Sequence, residues 1–146
     1  MEFSSLSALA NYVQTQINSV LKNEVAEYII NEAKGYADEV IYDAYEPKDY
    51  DRRFTYGTEN GSGYDIVATD GVVEIHPNPI ALADLIEHGN NGSTMGLHYD
   101  WDPPSDRDPT YLLPRPFVAT TKENLEGEEI KDILSIGLND RGIPTE

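Results

Sequence analysis

The sequence predicts an α+β fold: a long N-terminal helix packed on a small antiparallel β-sheet, followed by short C-terminal helices. Three observations predict it. Apolar residues recur at spacings of three and four from Leu6 to Ala44, the middle of the chain alternates apolar and polar residues between Gly-containing turns, and the last third returns to helical spacing. At 146 residues the chain has the size of one domain, expected over residues 1–138, with 139–146 as a flexible C-terminal tail.

The helical stripe consists of Leu6, Leu9, Val13, Ile17, Val20, Leu21, Val25, Tyr28, Ile29, Ala33, Tyr36, Ala37, Val40, Ile41 and Ala44. Gly35 interrupts it at a cost of ~1 kcal/mol relative to Ala, so a bend or break is expected there. Pro47 disfavours helix in the residue before it, so the helix should stop by Tyr45 or Glu46. An unbroken helix from Ser5 to Ala44 would be about 60 Å long, wider than a compact domain of this size. Part of the stripe is therefore expected to be covered by something outside the domain.

Arg53–Tyr56 alternates and ends at Gly57, and Thr58–Gly63 is turn chemistry with Asn60-Gly61 as a hairpin signal. Tyr64–Ala68 and Val72–His76 read as two strands around Thr69-Asp70-Gly71. Together they predict an antiparallel meander whose inner face covers the long helix. Pro77 and Pro79 end the sheet. Ile80–His88 has helical spacing and is closed by Gly89. Asn90–Pro109 is rich in Gly, Pro, Asp and Ser, and loops of this length are usually functional or interfacial. Pro116 suits the first turn of a helix through Leu125, Gly127 breaks it, and Glu128–Leu138 forms a last helix.

Composition narrows the function. The net charge is −17, from 27 acidic and 10 basic residues. Nucleic-acid binders place Lys and Arg on phosphates, so this chain is expected to repel a duplex unless its few cations cluster on one face, and binding to an anionic membrane surface is disfavoured for the same reason. There is no cysteine, which excludes disulfides and thiolate metal sites. The first residues lack a basic region and a continuous apolar run, and no apolar stretch approaches the ~20 residues that cross a bilayer, so a soluble protein without a leader is expected.

Several constellations could carry chemistry. His98, Asp100, Asp102, Asp106 and Asp108 fall within one loop, and clustered carboxylates suit Ca²⁺ or Mg²⁺. The spacing lacks the fixed Gly and terminal Glu of a calcium-binding helix-loop-helix, and a solvated acidic loop explains it as well. The three histidines, His76, His88 and His98, do not pair at zinc-ligand spacing. There is no nucleophile elbow and no phosphate loop. Carboxylate pairs for sugar hydrolysis arise by chance in so acidic a chain. Arg52, Arg53 and Arg115 are isolated cations that could pair with carboxylates at subunit contacts or on the surface. Tyr42, Tyr45, Tyr50, Tyr56, Tyr99, Trp101 and Tyr111 lie in or near loops, where aromatic residues serve interfaces or cap a core.

Three segments, taken in order, carry a resemblance: Val40-Ile41-Tyr42-Asp43-Ala44-Tyr45-Glu46-Pro47-Lys48-Asp49-Tyr50-Asp51-Arg52-Arg53, then Leu85-Ile86-Glu87-His88-Gly89, then Leu113-Pro114-Arg115-Pro116-Phe117. Across residues 5–138 the chain resembles the neck, or tail-completion, proteins of long-tailed bacteriophages, often described as minor tail components. The loop from Gly92 to Pro109 is longer than that family leads one to expect. The resemblance implies a structural virion protein, made in the host cytoplasm, that forms a ring of identical subunits. The ring would lie between the head-closure or connector proteins and the tail tube, near the tail terminator, with DNA passing through the lumen. It implies no enzyme activity, no cofactor and no membrane. Tyr45, Glu46, Arg52 and Arg53 are then expected contact residues, and Leu113, Arg115 and Phe117 belong to an expected docking segment. For Phe117 the alternative is an anchor in the core, since a buried Phe contributes ~1.5–3 kcal/mol wherever it sits.

The over-long helix and open strand edges both ask for neighbours, and a ring of head-to-tail interfaces supplies them. A carboxylate-lined lumen would let DNA slide without phosphate contacts. Competing readings are a tail terminator or another head–tail joining ring, an acidic DNA mimic displaying Glu24, Glu27, Glu32, Asp38 and Glu39, and a metal-dependent hydrolase built on Asp100–Asp108.

Overall fold

The computed structural model describes residues 2–43, 56–58, 63–89, 93–95 and 113–146. The fold is α+β. The elements run α1 (Leu6–Val20), a π-helical turn (Leu21–Val25), α2 (Ala26–Ala37), a second π-helical turn (Asp38–Tyr42), β1 (Tyr64–Thr69), β2 (Val72–Pro77), α3 (Ile80–His88), α4 (Phe117–Asn124) and α5 (Gly127–Asp140).

Ser5 starts the long helix by accepting the Ala8 N–H on its hydroxyl at 3.1 Å, the usual way to satisfy a first-turn donor. Backbone angles stay helical through the junctions at Leu21, Ala26 and Ala37, so the helix runs unbroken from Leu6 to Tyr42. The helix does not break at Gly35, which lies inside α2. The buried Ala33 and Ala37 pack the opposite face, and tertiary packing outweighs a propensity cost of ~1 kcal/mol. The irregular turns lie elsewhere. The second ends with the Asp43 N–H donating to the Asp38 carbonyl at 2.8 Å, a span of five residues.

The chain forms two compact units, one of Met1–Ile30, Ile66–Ile75 and Glu126–Glu146, the other of Asn31–Asp65 and His76–Leu125. In unit 1, Val20, Leu21, Val25 and Leu138 form the buried centre, flanked by Ile17, Ile29, Ala68, Val73, Ile130, Ile133, Leu134 and Ile143. The inner face of the hairpin thus covers the helix, as the alternation predicts. Gly137 lets α5 approach closely: a Cβ there would lie 2.6 Å from a Val20 methyl. Arg141 ties the end of α5 down, donating to Glu24 at 2.7 Å and to the Gly137 carbonyl at 2.8 Å.

The flexible tail expected from Asn139 is replaced by a closed helix end. The Ile143 N–H donates to Leu138 O at 3.0 Å and the Gly142 N–H to Asn139 O at 2.9 Å. Gly142, at φ +76°, takes the left-handed position this cap requires, and Ile143 packs in the same cluster as Leu138. The Thr145 N–H then donates to Asn139 Oδ1 at 3.1 Å.

Unit 2 is centred on Ala37, Ile41, Tyr56, Ala83 and Phe117, with Val40, Tyr42, Tyr64, Leu82, Ile86 and Val118 around them. The Asn78 N–H donates to Gly63 O at 2.8 Å, closing the base of the hairpin. The sheet of the described residues has two strands. Of the expected third strand, Arg53–Thr55 lies outside the described residues and Tyr56 belongs to a turn.

The chain itself covers most of the helical stripe. It does so by building one apolar cluster on the first half of the helix and another on the second, where the length argument assumed a single core. Among the described residues of the stripe, the apolar positions left exposed are Leu6, 81 % exposed, and Leu9, 38 % exposed, in the first turns.

Candidate interaction site

Unit 2 holds the ends of two segments that the sequence marks as partner-facing. The first leaves the helix after Asp43 and returns at Tyr56. Two side chains of the second π-helical turn, one helical turn apart, receive it. The Tyr56 N–H donates to the Tyr42 hydroxyl at 3.1 Å. The Asp38 carboxylate accepts the Thr58 N–H at 3.2 Å and the Thr58 hydroxyl.

The second segment leaves after Met95 and returns at Leu113, and α3 secures both ends. Asp84 is buried and accepts the Ser93 and Thr94 hydroxyls together with the N–H groups of Thr94 at 3.2 Å and Met95 at 3.4 Å. A buried carboxylate needs such donors, and these favour its charged form. The Ser93 hydroxyl, followed by that of Thr94, holds the Asp84 carboxyl down to about 2. His88 adds its Nδ1 at 3.2 Å from the same carboxylate.

Two residues further along α3, the Ile86 carbonyl accepts the Arg115 N–H at 2.8 Å. Glu87 then caps α4: its two oxygens accept the N–H groups of Val118 at 2.9 Å and Ala119 at 2.8 Å. Pro116, at the N-cap, offers no side-chain hydrogen bond, so the cap comes from another helix. A carboxylate at a helix N-terminus is favoured twice, by unsatisfied donors and by the helix dipole, for about 1 kcal/mol. The two segments singled out in the sequence, Leu85–Gly89 and Leu113–Phe117, therefore form one clasp.

The two returns meet in the core. Tyr56 and Phe117 are both fully buried, and their rings stack with centroids 5.3 Å apart at 26°. The Tyr56 hydroxyl donates to Pro79 O at 2.6 Å and the Tyr64 hydroxyl to Tyr56 O at 2.8 Å. Burial, with Tyr42 and Tyr56 beside it, pushes the Tyr64 phenol well up.

This places the expected contact residues differently. Phe117 is a core anchor, so its role as a docking residue is withdrawn: a side chain with no exposed surface has nothing to offer a partner. Leu113 is 58 % exposed and Arg115 half-buried, on the segment held by Ile86 and Glu87. Tyr45, Glu46, Arg52 and Arg53 lie outside the described residues, as do His98, Asp100, Asp102, Asp106 and Asp108. No group of metal-ligating side chains occurs among the described residues. Among them, too, no helix is long and apolar enough to cross a membrane. Of the five acids a DNA mimic would display along the helix, Glu24 is engaged by Arg141 and Asp38 by Thr58.

Sequence reasoning named Asp38 and Glu87 but missed that they, like Asp84, accept backbone N–H groups from distant segments. Their partners lie 20, 10 and 31 residues away, beyond any local pattern. One signal was available for Asp84: an acid on the apolar face of a short helix, followed by Ser93-Thr94.

Comparison with curated proteins and with solved structures found no match to either. The YomN family model matches residues 5–140, nearly the whole described fold, and the family is phage-derived. The chain, with its capped long helix, hairpin and α3 clasp, belongs to the YomN family of phage-associated proteins.

Proposed function

We propose that this chain is a structural component of the phage neck, a tail-completion protein. In this reading it forms a ring of identical subunits between the head connector and the tail tube, with unit 2 as its assembly face. One observation carries the reading. Among the described residues of unit 2 the exposed large apolar side chains are Ile80, Met95 and Leu113, and each lies on α3 or on a segment α3 holds. Apolar side chains exposed on a rigid frame are what a protein partner buries. The phage-derived family supports the setting. The charge of −17 suits a lumen through which DNA passes without arrest.

The test is complementation. A phage lacking this gene should accumulate filled heads separate from tails, and the wild-type gene should restore joined particles. Leu113→Glu should leave the fold intact by circular dichroism yet fail to restore them. Normal particles from the deleted phage would overturn the proposal.

A further inference from the structure

The turn of the β1–β2 hairpin holds Asp70 followed by Gly71, both at positive φ, +53° and +79°. Such a two-residue turn matches the right-handed twist of its strands. Both residues are exposed. An Asp-Gly step is chemically labile, because no side chain on the glycine hinders attack by its amide nitrogen on the preceding carboxyl. In this turn that nitrogen is occupied: the Gly71 N–H donates to Asn18 Oδ1 at 2.9 Å. Asn18 is itself held by Gln14, whose Nε2 donates to the same Oδ1 at 3.2 Å. Gln14 Nε2 would also lie 3.5 Å from a Cβ at Gly71, so the pair encloses the turn.

We propose that Asp70-Gly71 is a latent isoaspartate site that Asn18 keeps unreactive. The reaction needs no partner but water. The Gly71 nitrogen bonds to Cγ of the protonated Asp70 carboxyl, whose hydroxyl leaves with the amide proton as water. Water then opens the resulting succinimide at its α-carbonyl, so the main chain continues through the former side chain. The product carries one extra methylene in the backbone of a two-residue turn. Because side chains alternate faces along a strand, that insertion sets the pairing of Ala68 and Val73 against the inner face and loosens both from the unit 1 cluster. The hydrogen bond blocks the first step, since an amide held in a closed turn reacts only through local opening.

The full-length protein, its Asn18→Ala and Asn18→Asp variants, and an Ile66–Ile75 peptide are incubated at neutral pH and 37 °C. Isoaspartate at position 70 is then counted by electron-transfer mass spectrometry. The peptide should convert fastest and the wild type slowest. Asn18→Ala should convert about three- to tenfold faster than wild type, the population change expected for losing one net hydrogen bond. Asn18→Asp, which keeps an acceptor oxygen, should stay near wild type. An Asn18→Ala rate equal to wild type in a folded protein overturns the proposal. If that variant does not fold, a wild-type rate equal to the peptide's does the same.

Discussion

Unit 1 is closed by aliphatic packing, whereas unit 2 is closed by carboxylates, phenols and one aromatic stack. In unit 1 the helices meet through Val20, Leu21, Val25 and Leu138, with Gly137 set against Val20 and a capped helix end sealing the chain. In unit 2 Asp38, Tyr42, Asp84 and Glu87 each grip backbone from a distant segment. Aliphatic packing is non-directional and resists deformation, so it suits a scaffold. Hydrogen bonds are directional, and a charged acceptor holding two donors fixes where a segment leaves and returns. On the proposed function, unit 1 is the stable scaffold and unit 2 the presenting face, and substitutions in each can separate the two roles.

The largest effect is expected at Phe117. Phe117→Ala removes the ring stacked on Tyr56 and should lower stability by about 3–5 kcal/mol in chemical denaturation. A smaller loss would mean that the aromatic pair does not organise unit 2. Next is Gly137→Val in unit 1, where the added side chain meets buried Val20. A cost of about 1–3 kcal/mol is expected, with less for Gly137→Ala.

Glu87→Ala leaves the first turn of α4 uncapped and should cost about 0.5–2 kcal/mol. Its more telling effect is local: amide exchange at Val118 and Ala119 should accelerate while unit 1 amides stay protected. Uniform acceleration across both units would erase the distinction between them.

Asp84 sharpens the comparison through pH. Its carboxyl is held from 3.8 down to about 2, so its stabilising contribution is present above 3.8 and lost as pH falls toward about 2. Wild type minus Asp84→Asn stability should therefore be constant near neutrality and shrink between those values, followed by acid titration of unfolding midpoints. The smallest effect on stability belongs to Leu113→Glu, within about 0.5 kcal/mol for an exposed site, although it should abolish assembly.

Much of this arrangement was legible in the sequence, for reasons visible residue by residue. Ile80–His88 with Gly89 after it reads as a helix because both period and stop signal are local. Asp70-Gly71 between two alternating runs reads as a hairpin for the same reason. The C-terminal cap was legible too, since Gly142 followed by apolar Ile143 is its signature, but the short polar run after Leu138 reads more readily as a tail. Gly35 misled because propensity is a weak prior that buried Ala33 and Ala37 override. Both halves of the clasp, Leu85–Gly89 and Leu113–Phe117, stood out in the sequence, but their contact could not be read in advance, because Glu87 caps a helix that begins after a long intervening loop.

The central claim is that unit 2 presents the assembly face, and hydroxyl-radical footprinting of free protein against assembled phage particles tests it most directly. Met95 is 51 % exposed and Leu113 58 % exposed, so both should be oxidised readily in the free chain. In particles, Met95 and Leu113 should become strongly protected while Val67 and Val72 on the hairpin's outer face change little. Protection confined to Val67 and Val72, with Met95 and Leu113 oxidised as before, would contradict the account.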